Sequence, residues 1–194
     1  DVVVHLGTLS AIVFYYRVII RILIQDFFYS VIKTQTVGQS KLAWGVLLGT
    51  IPVGLAGLLF KDFIELNLRS TEVIAYSTLV FGLLLGFSSW VNARNNNPRS
   101  ELSWQDIGFI GIMQALALVP GTSRSGITIT AGLLIGLSRN MSTQFAFLLS
   151  IPVITLSALL MLLELSQQSQ MVDWPMLAIG FLVAGLSAYF TVVF

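Results

Sequence analysis

The side chains of this sequence that could do chemistry stand together in one short stretch, "ALVPGTSRSGITITAG", Ala117 to Gly132. Arg124 lies between Ser123 and Ser125, with Thr122 just before and Thr128 just after, and Pro120, Gly121 and Gly126 interrupt the apolar pattern around it. A guanidinium is a planar fork that can hold two phosphate oxygens at once and stays charged in a low-dielectric setting, whereas a lysine is a point charge. Pro120 and Gly121 should stop an incoming helix, Gly126 should let the backbone turn, and "ITITAGLLIGL" should resume helically. A helix N-terminus then turns its free N–H groups and positive dipole end toward the guanidinium and the hydroxyls. Together these groups describe an anion site, with phosphate as the natural ligand.

Such a tip has to be positioned by something, and composition says that this is a membrane. Of the 194 residues, 56% are hydrophobic and only 10% are charged, against roughly 25% charged in ordinary globular chains; mean hydropathy is +0.88. A net charge of +1 leaves no basic surface for nucleic acid, and the absence of cysteine removes disulfides and thiolate metal sites. The chain opens without an initiator methionine and closes inside an apolar run, so it reads as a piece of a longer protein.

A membrane helix needs ~20 mostly apolar residues. Windows of that kind cover residues 2–16, extended by "RVIIRILI" with Arg17 and Arg21 at the membrane surface, then 42–60, 73–91, 145–163 and 174–194. Pro52 implies a kink in the second, and Gly45/Gly49 and Gly82/Gly86 are spaced as close-packing pairs. Residues 107–137 differ: two apolar pieces of about a dozen residues each, too short to span, joined by "PGTSRSG". This is the pattern of a re-entrant hairpin or broken helix, since irregular backbone at membrane depth survives only inside protein or beside a wet cavity. The expected architecture is all-α, a single transmembrane domain over residues 1–194, with the tip from Pro120 to Gly126 buried in a polytopic helix bundle. Arg124 has no acid near it in sequence, and an ionisable residue at membrane depth marks function by default.

The remaining polar and bulky residues read as scaffold. His5 suits helix packing, Glu72 and Glu164 sit at helix ends, and Met113, Met161 and Met171 suit packing or lipid contact. Trp44, Trp90, Trp104 and Trp174 lie near helix ends as interfacial anchors do. The stretch "VNARNNNPRSELSWQD", residues 91–106, reads as a flexible aqueous linker. Lys and Arg are frequent in 17–41 and missing from 164–173, which puts the former and the Asn-rich linker in the cytoplasm, the latter outside, and makes the hairpin enter from and return to the inside.

The stretch "QALALVPGTSRSGITITAGLLIGLSR", with "LLGTIPVGLAGLLFKDFIE" and "FAFLLSIPVI", resembles the bacterial undecaprenyl-diphosphate phosphatase family, the bacitracin-resistance membrane phosphatases, over essentially the whole chain. The resemblance implies hydrolysis of undecaprenyl diphosphate to the monophosphate at the outer face of the bacterial cytoplasmic membrane. That step recycles the lipid carrier of cell-wall peptidoglycan synthesis and so bears on cell shape and antibiotic resistance. It also implies a divalent cation, Mg or Ca, with Arg124, Ser123, Ser125 and Thr128 as catalytic residues and Gly121, Thr122, Gly126 and Gln114 as substrate-binding residues; Gln114, in the place that corresponds to an acid of the family's first signature, would either orient a water or bond across helices. The family's first signature, a Glu-x-x-x-Glu segment with a Ser-Ser-Thr-Gly-His-like tip, is not in this sequence, and members run on for one more helix. The resemblance therefore places metal ligands outside these residues, makes the 194 residues inactive by themselves, and implies half of an inverted repeat. Partners are then a polyprenyl diphosphate, membrane lipids and a second copy of the chain. A transporter or lipid flippase binding an anionic substrate at the broken helix, or a non-catalytic membrane subunit, would keep the same architecture and do a different job.

Overall fold

The structure is a computed structural model that describes residues 2–167 and 174–193, with the side chains of 3–160 and 174–191. The expectations for Met161, Glu164, Met171 and the 164–173 loop fall outside the described side chains. In chain order the helices are α1 (Val2–Tyr15), α2 (Arg17–Lys33), α3 (Ser40–Leu59), α4 (Lys61–Asn67), α5 (Thr71–Ala93), α6 (Trp104–Ala115), α7 (Arg124–Leu134), α8 (Arg139–Gln167) and α9 (Trp174–Val193), with a 3₁₀ turn at Leu116–Leu118. The only β pairing among the described residues is one isolated bridge, Arg99 to Leu137. The fold is all-α and polytopic: α3, α5, α8 and α9 are each long and apolar enough to cross a membrane.

The first expected span is corrected. Residues 2–16 do not continue into "RVIIRILI", because the chain bends by 79° between α1 and α2. Arg17 fixes the corner: its guanidinium donates to the Phe14 carbonyl at 2.9 Å and lies 4.4 Å over the Phe14 ring. Charge on a carbonyl freed by a helix end, with a cation on an aromatic face, stabilises the break.

The contacts divide into two compact units, one of residues 1–43 and 150–194, the other of residues 44–149. In the first, α1 lies against α9 at glycine-to-backbone distance. A Cβ on Gly7 would overlap the Phe181 carbonyl and come within 3.1 Å of the Gly185 N–H nitrogen, and the Phe14 and Tyr189 rings meet edge to face at 5.7 Å. Small residues of this kind let two membrane helices gain dispersion contact along their backbones.

The second unit holds the hairpin. Gly49 and Gly111 bring α3 and α6 together so closely that a Cβ on Gly111 would stand 2.9 Å from the Gly49 carbonyl oxygen, and Gly45 receives Ile107. The expected packing role of Gly45/Gly49 is thus met by α6. Gly82 and Gly86 do something else: a Cβ on either meets no atom within 4 Å, so they are not a packing pair.

Twelve residues of α6 lead in and eleven of α7 lead out, returning to the side they left. A capping box starts α6, with Ser103 accepting from the Asp106 N–H and Asp106 from the Ser103 N–H. Gly136, at φ +82°, ends α7 in a Schellman motif, with Leu137 N–H donating to Gly132 and Gly136 N–H to Leu133. Arg99 ties the two ends: its guanidinium forks onto Asp106 at 2.8 and 3.0 Å and donates to the Ile135 carbonyl at 2.8 Å, while its backbone pairs with Gly136 and Ser138. The linker expected to be a free loop is therefore pinned at Arg99.

Alongside runs α5, whose buried side chains are Ser77, Ser88 and Asn92. Asn92 donates to the Leu133 and Leu137 carbonyls at the hairpin base, and Ser77 donates to the Pro120 carbonyl at its tip. Fifteen residues separate the two, about 22 Å at helical rise. The tip therefore stands level with the sixth residue after Thr71, about 9 Å from the far end of α5.

Candidate anion-binding site

The tip is built by α5 holding a turn that glycine alone can make. Ser77 donates to Pro120 O at 2.5 Å and Thr78 to Gly121 O at 3.1 Å. Gly121 sits at φ +92°, a region L side chains avoid, and a Cβ there would overlap Ser77 Oγ and the Ile74 carbonyl and lie 2.8 Å from Thr78 Oγ1. Gly121, expected among the ligand-binding residues and before Gly126 in the chain, is the residue that turns the backbone. Gly126 is not at a turn, which corrects its expected role: it is the third residue of α7, and its N–H donates to Ser123 Oγ at 3.2 Å.

That bond also moves the helix start. Ser123 is the N-cap, extended at φ −69°, ψ 123°, so α7 begins at Arg124 and not at Ile127. Arg124 and Ser125 are its first two residues, and their N–H groups have no carbonyl a turn behind them. The free donors, the positive helix end and the guanidinium thus share one turn. Arg124 is half-buried, and among the described residues no carboxylate pairs with it. Ser125, also half-buried, makes no hydroxyl bond to a described protein group, and Ser123 keeps its O–H free while its oxygen caps the helix.

Two expected donors turn inward. Thr128 is 2% exposed and donates to the Arg124 and Ser125 carbonyls at 3.0 and 3.1 Å, so its proton is committed to its own helix. Gln114 is fully buried and donates across to Gly49 of α3 at 3.2 Å, while its Oε1 has no partner. Of the two sequence readings for Gln114, this geometry makes the cross-helix bond. Thr122 is buried with its hydroxyl unpartnered, right behind Ser123. The tip as a whole is half-buried, with Gly121 and Ser123 exposed, rather than enclosed as expected from sequence.

Every group offered at the tip is a donor: two helix N–H groups, two hydroxyls and a guanidinium. Such a set suits an anion. It does not suit a divalent cation, and among the described residues no group of three or more His, Asp or Glu could hold a metal. Sequence reasoning missed Ser77, Thr78 and Asn92. Their signal was present as polar residues within an apolar span, at spacings that return to one helical face.

The bacitracin resistance protein BacA family matches residues 1–194. An undecaprenyl-diphosphatase of Vesicomyosocius okutanii is 64% identical over all 194 residues, which cover 74% of that relative, and one of Ruthia magnifica is 65% identical, with 73% of it covered. Undecaprenyl-diphosphatase 2 of Stutzerimonas stutzeri is 53% identical, again across this whole chain and 73% of the relative.

Proposed function

The chain belongs to the bacitracin resistance protein BacA family, and from that premise we propose that it hydrolyses undecaprenyl diphosphate to undecaprenyl phosphate and inorganic phosphate. The observation that carries the reading is Arg124: a half-buried guanidinium with no described protein carboxylate beside it, on the first residue of a helix, at the tip of a re-entrant hairpin. An unpaired cation at that depth is costly unless its partner is the ligand.

Arg124 forks onto the oxygens of the diphosphate, with the N–H groups of Arg124 and Ser125 and the hydroxyls of Ser123 and Ser125 completing the cradle. These donors are fixed before substrate arrives, so charge that builds on the phosphoryl oxygens as the anhydride bond opens is stabilised without reorganisation. Thr128 holds the first turn of α7 and so positions Arg124. In the net reaction one water is consumed: the bond from the terminal phosphorus to the bridging oxygen breaks, that oxygen stays on the lipid phosphate, and the water's oxygen ends on the inorganic phosphate, its protons going to the phosphate products and solvent. The divalent cation implied by the resemblance finds no fitting donor set among the described residues.

Depth and charge support the siting of this reaction at the outer face of the bacterial cytoplasmic membrane. The hairpin base carries Arg94, Arg99 and Arg139, which suits the cytoplasm, and the tip lies about 9 Å from the opposite end of α5. Release of the monophosphate there would return the lipid carrier to peptidoglycan synthesis and relieve bacitracin.

In the full-length protein in detergent, Arg124→Ala should lower phosphate release by roughly 10²–10³-fold, as loss of one preorganised donor does. The unfolding temperature should hold, because no described protein charge loses a partner. Arg124→Lys should also fail, since a point charge cannot reproduce the fork. Retained turnover in Arg124→Ala, or loss only in proportion to folded protein, overturns the assignment; tight substrate binding without phosphate release would favour a transporter.

A further inference from the structure

We propose that the groove between α5 and α7, whose lining begins one turn below the tip, receives the polyprenyl chain beyond its first isoprene unit, and so sets the enzyme's preference for substrates longer than a single unit. The inference rests on the phosphatase reading and adds to it the place where the apolar half of the substrate lies. A diphosphate seated at Arg124 is attached to a chain that must leave the tip between helices. The groove is the exit whose register leads from the tip.

Its walls follow from helical spacing. Ser125, Ile129 and Leu133 are four residues apart on α7, and Thr78, Gly82 and Gly86 are four apart on α5, so each set forms one stripe along its helix. The upper member of each stripe belongs to the tip: Thr78 holds the Gly121 carbonyl, and Ser125 offers a free hydroxyl and N–H. Below them, Gly82, Leu85, Gly86, Ile129 and Leu133 line a groove of about 510 Å³, a size typical of small-ligand sites. The two glycines make it. Neither has an atom within 4 Å of where a Cβ would stand, so the space is open and not filled by a neighbour.

The far end is polar. Ser89, Arg139 and Thr143 close it, with Arg139 donating to Ser89 Oγ at 3.1 Å. Gly82 to Ser89 is seven residues, about 10 Å at helical rise, so the groove holds a short apolar length before the chain turns out into lipid. A linear hydrocarbon fits such a slot, and the polar closure gives it an end.

Because no atom lies within 4 Å of a Cβ at Gly82 or Gly86, a leucine placed at either extends into the groove. The experiment compares kcat/KM of the full-length protein for undecaprenyl, farnesyl and dimethylallyl diphosphate, in the unaltered protein and in Gly82→Leu and Gly86→Leu. The ratio of farnesyl to dimethylallyl diphosphate should collapse by roughly 10- to 100-fold, the range a filled apolar subsite produces. A photoreactive farnesyl diphosphate analogue should label the segments 82–89 and 129–133 in the unaltered protein, which keeps the test independent of variant folding. An unchanged ratio in folded, active variants, or labelling elsewhere, overturns the groove while leaving the phosphatase reading intact. An unaltered protein that hydrolyses none of the three overturns that reading and the groove's occupant with it. If Arg139→Gln depresses all three substrates alike while the glycine variants leave the ratio untouched, the groove holds a bilayer phospholipid and the assignment is wrong.

Discussion

Gly121→Ala is the smallest change that should dismantle the site. At φ +92° an alanine is strained by about 1–2 kcal/mol before any contact is counted. Its methyl would overlap Ser77 Oγ and the Ile74 carbonyl. Ile74 O belongs to the backbone of α5 and cannot rotate away, so the tip must move outward. Outward movement breaks the bonds from Ser77 to Pro120 and from Thr78 to Gly121, which contribute about 0.5–1.5 kcal/mol each. The sum is about 2–5 kcal/mol, roughly 10 °C in unfolding temperature for a chain of this size. A displacement of about 1 Å at a phosphoryl site also costs on the order of 10²-fold in turnover. The assay is thermal unfolding in detergent beside phosphate release from farnesyl diphosphate. Gly82→Ala is the control: it lies in a helix interior with open space around it, so it should be neutral or stabilise by up to about 1 kcal/mol. If Gly121→Ala stays within about 0.5 kcal/mol of the parent and keeps its turnover, then neither the φ strain nor the α5 cradle shapes the tip, and the reasoning fails.

Arg99→Ala should destabilise by about 2–3 kcal/mol, because Asp106 is 8% exposed and loses its forked partner while the Ile135 carbonyl loses a donor. Arg99→Lys should recover less than half of that; a calorimetric scan showing full recovery would mean that the fork is unimportant. Gln114→Leu should leave unfolding within about 1 kcal/mol of the parent, since it removes one neutral bond of 3.2 Å together with a buried oxygen that has no partner. A large loss in the same scan would show that the bond between α6 and α3 matters more than its geometry allows.

Sequence was enough for the hairpin because segment length and composition carry it: about a dozen apolar residues cannot cross a bilayer, and Pro120 with Gly121 forbids continuous helix between the two pieces. It was also enough to gather Arg124, Ser123 and Ser125 at one tip, since adjacent residues need no fold to be neighbours. It misplaced what depends on partners far along the chain. Gly121 turns the backbone and Gly126 does not, because Ser77 and Thr78, 43 residues away, hold the Pro120 and Gly121 carbonyls. Thr128 looked like a ligand donor, and its place on α7 turns its proton onto the helix backbone instead. Gly82 and Gly86 have the spacing of a packing pair, yet what lies opposite a helix face is not written in that face, and here it is open space. Local chemistry is fixed by local sequence. Which side chains hold it in place, and where a lipid can lie against it, are decided by helices whose contacts only the tertiary structure brings together.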